Sequence, residues 1–292
     1  MHDAAGPGHR DPRVRWRPDE CTARSVQSGT YEAGSPLIDP LHALVIVAAG
    51  IGAGTINTIV GSGSLITFPT LLLLGYAPLV ANVSNTIGLV PGAISGSIGY
   101  RRELAGQRRR AIPLIAAAAL GGLTGAALLL ILPAAAFARI VPVLILVACG
   151  LVAIQPRLST WVVARRARLG HEPHHGGGPL LLVGVYLTGI YGGYFGAAQG
   201  VILIALLSIL IDDELQRLNG LKNVITAVVN AVAAIIFILV APVAWAPAIL
   251  LAIGSAIGGQ LGAVVGRRLS PFALRVAIIT IGTAVAVRLL VG

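Results

Sequence analysis

The sequence predicts an all-α polytopic membrane protein built from two glycine-broken halves. Three observations predict it. First, 56% of the 292 residues are hydrophobic, the mean hydropathy is +0.87 and only 11% are charged, whereas a soluble domain carries roughly a quarter charged residues. Second, the apolar residues fall in continuous runs rather than in the alternation of a β-barrel, and none of the eleven acids lies in the middle of a long run. Third, two runs are interrupted alike, at Gly61-Ser62-Gly63-Ser64 and at Gly192-Gly193-Tyr194-Phe195-Gly196-Ala197-Ala198-Gln199-Gly200. The segment after the first break opens with Asn82, Ser84, Asn85 and Thr86, and that after the second with Asn219, Lys222 and Asn223.

Residues 1–40 hold five arginines, six acids and no apolar core of a signal peptide, so they read as a disordered tail. Apolar runs follow at about 41–60, 63–75, 78–100, 112–132, 134–154, 179–197, 199–211, 215–241, 245–265 and 271–291. A spanning helix needs about 20 apolar residues, and the runs 63–75 and 199–211 are short. Residues 41–75 as one helix would be about 50 Å long against a hydrocarbon core of about 30 Å. A fold-back at the glycines is therefore expected.

Basic residues set the sidedness, because loops facing the cytoplasm are enriched in them. Arg101, Arg102, Arg108, Arg109 and Arg110 precede the hairpin 112–154, and Arg157, Arg165, Arg166 and Arg168 follow it. Both groups are expected inside, with the linker 155–178 cytoplasmic. Placing Arg267 and Arg268 inside as well needs an even number of crossings after residue 178. That favours five segments in each half, 41–154 and 179–292, and an odd number inverts the halves. The alternative is eight spans in two parallel repeats, which leaves Arg267 and Arg268 outside.

The net charge of +10 does not point to nucleic acid, because the arginines cluster between apolar runs. Cys21 and Cys149 give neither a disulfide framework nor a metal spacing. His171, His174 and His175 fall in a Gly-rich loop and read as a solvated loop rather than a metal site. No cofactor is implied. Enzymatic chemistry is not expected: there is no Ser/His pair inside an apolar segment, no H-E-x-x-H, no intramembrane Asp pair and no G-x-x-x-x-G-K-[ST] nucleotide loop. Two series of small residues at four-residue spacing, Ser84-Gly88-Gly92-Gly96 and Gly254-Gly258-Gly262-Gly266, predict close helix packing. They fit packing within one chain or between two copies, so a homo-oligomer stays open.

The polar constellations lie beside the breaks. A helix broken at membrane depth exposes backbone groups that only protein or a water-filled cavity can satisfy. Helix N-termini there suit an anion. Gly61, Ser62, Gly63 and Ser64 form one candidate cradle, and Gln199 and Gly200 belong to the other. A tight turn that needs glycine for steric reasons is the alternative. Asn219, Lys222, Asn223, Thr226 and Asn230 are spaced three and four apart and make one polar stripe; Asn82, Asn85 and Thr86 do the same in the first half. Such stripes face a bundle or cavity, and hydrogen bonding between helices is the competing role for them. Lys222 is the sole lysine, with no acid in an apolar run to pair with it. It either draws an anion or snorkels to the headgroups. On this reading both breaks aim donors at a shared central chamber.

The stretches GSGSLITFPTLLLLGYAPLVANVSNTIGLVPGAISGSIGYRREL and YGGYFGAAQGVILIALL…RLNGLKNVITAVVNAVAAIIF resemble the two repeats of the sulfite exporter TauE/SafE family, a group of membrane permeases. The resemblance covers about 41–291. It is carried by the Gly-rich break, Pro69, the pair Asn85-Thr86 and the run Leu221-Lys222-Asn223; the second break reads GAAQG where a more glycine-rich form is common. It implies secondary transport of small sulfur-containing anions, such as sulfite or organosulfonates, across the cell membrane. The site would lie between two repeats and work by alternating access. An anion channel and a non-transporting membrane assembly protein are the rival functions. The expected partners are the anion and the lipid bilayer.

Overall fold

The computed structural model describes residues 39–169, 178–265 and 271–291, which form ten helices. The tail up to residue 38, His171, His174, His175, Gly266, Arg267 and Arg268 lie outside the described residues. Asp39 and Pro40, which the sequence reading placed in the tail, instead start the first helix, with Asp39 as N-cap and Pro40 in the first turn. Proline suits that position because its missing N–H would be unpaired there anyway.

The helices are α1 (Pro40–Ile59), α2 (Ser64–Leu73), α3 (Pro78–Gly99), α4 (Arg108–Ile131), α5 (Ala134–Leu169), α6 (Gly178–Tyr194), α7 (Gln199–Leu210), α8 (Leu215–Val240), α9 (Trp245–Val265) and α10 (Pro271–Val291). Among the described residues, α1, α4, α8, α9 and the stretch Ala134–Arg157 of α5 are long and apolar enough to cross a membrane. The 22 residues of α3 have the length but carry Asn82, Ser84, Asn85 and Thr86, all buried inside the bundle.

One expectation is corrected. Residues 155–169, read as part of a linker, continue α5, which is 36 residues long. At 1.5 Å per residue it measures about 54 Å, so it runs on past the hydrocarbon. Apolar content ends near residue 154, but Gln155, Leu158, Ala164, Arg165, Arg166, Ala167 and Arg168 are strong helix formers, and the helix continues through Pro156.

Both glycine breaks fold the chain back. Gly61 has φ +88° and Gly196 has φ +75°, a region that costs glycine little. A Cβ on Gly184 of α6 would lie 2.6 Å from Leu206 Cδ2 of α7, and one on Gly63 would overlap the Ala53 carbonyl of α1. So α2 returns along α1, and α7 along α6.

The largest helix interfaces, α1–α9, α3–α9, α4–α6, α3–α8, α4–α8 and α5–α10, each join an element before residue 170 to one after 177. Exchanging each helix for the one five places away maps this set onto itself: α1–α9 becomes α6–α4, and α3–α9 becomes α8–α4. α9 is a rib held between α1 and α3. Gly254, Gly258 and Gly262 sit on the backbone of Val47, Ile51 and Thr55, while Gly259 meets Gly92 and Ser255 meets Gly88. The register rises together, so α9 runs parallel to α1 and α3. By contrast α3 and α8 are antiparallel: Tyr100 at the end of α3 meets Asn219 at the start of α8, and Ser84 near the start of α3 meets Ala244 beyond the end of α8. α5 and α10 are antiparallel too, with Gly282 against Cys149 and Arg275 against Gln155.

Candidate functional site

The two breaks meet each other. The Gly200 N–H donates to the Gly61 carbonyl at 3.0 Å. A Cβ on either glycine would overlap the other's backbone, so the approach requires glycine on both sides. The open central chamber expected from the sequence is therefore replaced by direct contact of the turns. Beside it, Phe68 and Phe195 pack edge to face at 5.3 Å, and Phe137 stacks edgewise on Tyr194 and Phe195. The Tyr191 hydroxyl donates to the Ala197 carbonyl at 2.6 Å and ties the second break to the end of α6.

The α8 stripe converges on the end of α1. The Lys222 ammonium donates to the carbonyls of Asn57 and Thr58, both at 3.1 Å. Asn219 Nδ2 and Asn223 Nδ2 each donate to the same Thr58 carbonyl at 3.3 Å. Asn219 Nδ2 also reaches the Tyr100 hydroxyl at 2.9 Å. Lys222 is 1% exposed, so it does not snorkel. The last carbonyls of a helix lack intrahelical partners and carry partial negative charge, which is why a cation settles there. The cation thus sits on the C-terminus of α1 rather than facing an open chamber shared with the two breaks. Asn230 is buried two turns further along α8, about 10 Å from Asn223 at 1.5 Å per residue.

The first-half stripe is used differently. Asn82 Nδ2 donates to the Tyr194 carbonyl at 3.0 Å, linking α3 to the second break. Asn85 accepts from the Thr67 hydroxyl of α2. Thr86 returns its hydroxyl to the Asn82 carbonyl of its own helix at 2.9 Å. At the start of α2, the N–H groups of Leu65 and Ile66 are taken by the carbonyls of Ser62 and Gly63; Ser64 opens that helix and is buried. Several buried polar atoms on α3, α8 and the breaks have no partner among the described residues: Ser62 Oγ, both amide atoms of Gln199, Asn82 Oδ1, Asn219 Oδ1 and Thr226 Oγ1. Such atoms are rare in folded proteins and call for an explanation.

Sequence reading missed Asn57, Thr58, Tyr100, Thr67 and Tyr194. Three of these act through a backbone carbonyl, which any residue type supplies, so no sequence signal marks them. Tyr100, a lone tyrosine closing an apolar run, was the one readable hint.

A second polar cluster lies where α4 and α8 begin. Asp213 accepts from Arg110 at 2.8 Å and from Arg217 at 2.9 Å, and Gln107 Nε2 donates to the Arg217 carbonyl at 3.2 Å. Burial pushes the Asp213 carboxyl up, but the hydrogen bonds from Arg110 and the Glu214 N–H, with the two guanidinium charges, outweigh it and hold it below its ordinary value. A cleft of about 450 Å³ opens beside this cluster, lined by Gln107, Arg109, Arg110, Leu182 and Arg217.

The profile of the family described as sulfite exporter TauE/SafE matches residues 46–289. The chain belongs to that family. A probable membrane transporter protein of Haemophilus influenzae is 29% identical over 223 residues, covering 75% of this chain and 83% of the relative. The probable membrane transporter protein YfcA of Escherichia coli K12 is 26% identical over 227 residues, 77% of this chain and 81% of the relative. A third, ORF9 of a Sinorhizobium species, is 26% identical over 250 residues, 86% and 92%. No solved structure matches the chain. As a TauE/SafE protein it is a multi-pass membrane transporter and not an enzyme.

Proposed function

We propose that this TauE/SafE protein is a secondary transporter of small oxyanions, sulfur-containing ones such as sulfite or organosulfonates, in the cell membrane. One observation carries the reading: a fully buried ammonium, Lys222, whose hydrogen bonds go to carbonyls and not to a carboxylate. A charge at membrane depth costs roughly 2.5–3.5 kcal/mol even on permissive scales. A lone cation kept there is suited to a mobile counter-charge. The family description supports the sulfur chemistry. We place the substrate among Asn219, Lys222, Asn223 and Asn230 of α8, Asn82, Asn85 and Thr86 of α3, and the break residues Gly61–Ser64, Gln199 and Gly200.

The halves α1–α5 and α6–α10 are proposed to be inverted repeats that rock about this site. An axis lying in the membrane plane reverses the direction of equivalent helices, and the antiparallel pairs α3–α8 and α5–α10 fit it. The Arg101–Arg110 segment and the linker 155–178 are assigned to the cytoplasm on their arginines.

The test is flux of radiolabelled sulfite and methanesulfonate into proteoliposomes holding the purified protein. Saturable uptake by wild type, and its loss in Lys222→Ala with the variant still membrane-inserted, is the expected result. Uptake that never saturates favours a channel. Absence of uptake of either anion overturns the proposal, and full uptake by Lys222→Ala removes that residue from the site.

A further inference from the structure

Three side-chain donors meet one backbone oxygen. The Thr58 carbonyl accepts from Lys222, Asn219 and Asn223 at 3.1 to 3.3 Å, although a carbonyl offers two lone pairs. The Asn57 carbonyl takes a second bond from the ammonium. One turn on, the Gly61 carbonyl takes the Gly200 N–H from the start of α7. Every one of these acceptors belongs to the last turn of α1 or to the glycine break that follows it. The donors thus form a set suited to negative oxygen, filled by neutral peptide oxygens.

We propose that the segment Asn57–Gly61 is an internal stand-in for the substrate, and that an oxyanion enters by displacing it from Lys222, Asn219, Asn223 and the Gly200 N–H. This rests on reading the Lys222 cluster as the anion site. Charged acceptors make hydrogen bonds roughly twice as strong as neutral ones, so a sulfonate or sulfite oxygen outcompetes a carbonyl for the same donors. An anion with several oxygens replaces several carbonyls at once, whereas a halide offers one centre.

Two independent features fit displacement. The carbonyls of Asn57, Thr58 and Gly61 are bonded from the other half, while the Thr58 side chain bonds the Gly54 carbonyl of its own helix and packs on Gly96 of α3; the turn after it pivots on Gly61 at φ +88°. The residues flanking the Gly61–Gly200 bond, Ser62 and Gln199, are 1% and 2% exposed and carry unpartnered donors. Closed, these groups have nothing to bond; with the α1 end withdrawn they face an arriving anion.

The test is thiol accessibility of Thr58→Cys in purified full-length protein lacking Cys21 and Cys149 (Cys21→Ser, Cys149→Ala), with Asn57→Cys as a second reporter at a half-buried position. The probe anions are methanesulfonate and, separately, sulfate, since sulfite itself attacks maleimides. Either anion is expected to speed maleimide labelling at least about fivefold, the lower end of ordinary coupling between sites. Adding Lys222→Gln should abolish the acceleration. Gly200→Ala, whose Cβ would lie 2.9 Å from the Gly61 oxygen, should speed labelling without any anion. Labelling that ignores or is slowed by both anions overturns the displacement. If wild type still carries sulfite in that case, the transporter reading stands alone; if it carries none, the reading beneath the inference has failed instead.

Discussion

Asp213 shows what a single side chain does at the end of the bundle. It joins Arg110 of α4 to Arg217 of α8 and so clasps the two halves outside the hydrocarbon. Its carboxyl titrates below its ordinary value, so the folded state favours the ionised form. The clasp's contribution is present above the unfolded pKa of about 3.9 and is lost as pH falls through the lowered folded value. Asp213→Asn should therefore lower thermal stability in detergent at neutral pH, by roughly 1 kcal/mol for a pair of this exposure. The gap between variant and wild type should close in acid below the ordinary carboxylate value. A gap that persists unchanged at low pH would show that the charge is irrelevant. The clasp was not legible beforehand, because Arg110 and Asp213 are distant in sequence and a charged loop gives no sign of its partner. The α8 stripe was legible, since Asn219, Lys222 and Asn223 recur at helical spacing on a run of aliphatic residues. Its counterpart, the Thr58 oxygen, was not.

At the level of elements, glycine spacing proved a reliable guide to which faces pack. The series Gly254, Gly258 and Gly262 lies on the α1 backbone, and Gly88 and Gly92 lie on α9. The Ser255 hydroxyl donates to the Gly88 carbonyl at 2.7 Å and accepts from the Gly92 N–H at 3.2 Å, so it enters the α3 ladder beside Pro91. Gly258→Ala would drive a methyl into the Ile51 carbonyl and should cost about 1–3 kcal/mol, as overpacking does. Gly150→Ala in α5 meets nothing within 4 Å and should leave the melting temperature unchanged or raised. Equal melting of both variants would contradict the α1–α9 interface. The breaks themselves were readable from glycine and from helix length. Their mutual contact was not, because proximity between Gly61 and Gly200 arises from how the remaining helices pack. The length of α5 was missed for a different reason: apolar content reports the membrane boundary, and helices do not have to end there.

For the molecule as a whole, the architecture fixes which loops share a face. The loop after α3 and the start of α8 are bound together through Ala105, Gln107 and Arg217. The turn after α8 lies at the far end of a 26-residue helix, about 39 Å away. Cysteines replacing Arg102 and Asp212 should react with an impermeant thiol reagent from the cytoplasmic side, and one replacing Pro242 from the opposite side. Labelling of all three from one face would refute the orientation of α8. The order of the ten segments followed from hydropathy, and the arginine distribution suggested an even crossing number. Which helices touch could not be read, since every apolar face is equally greasy in sequence.

The exchange of partners between halves has a consequence for biogenesis. The longest interface of α1 is with α9, whose first residue is Trp245. A nascent chain emerging from the ribosome must therefore hold α1 and α4 in the lipid without their mates until most of the polypeptide has been translated. The main interfaces all run between the halves, so truncated translation products lack the surfaces that hide their glycine seams.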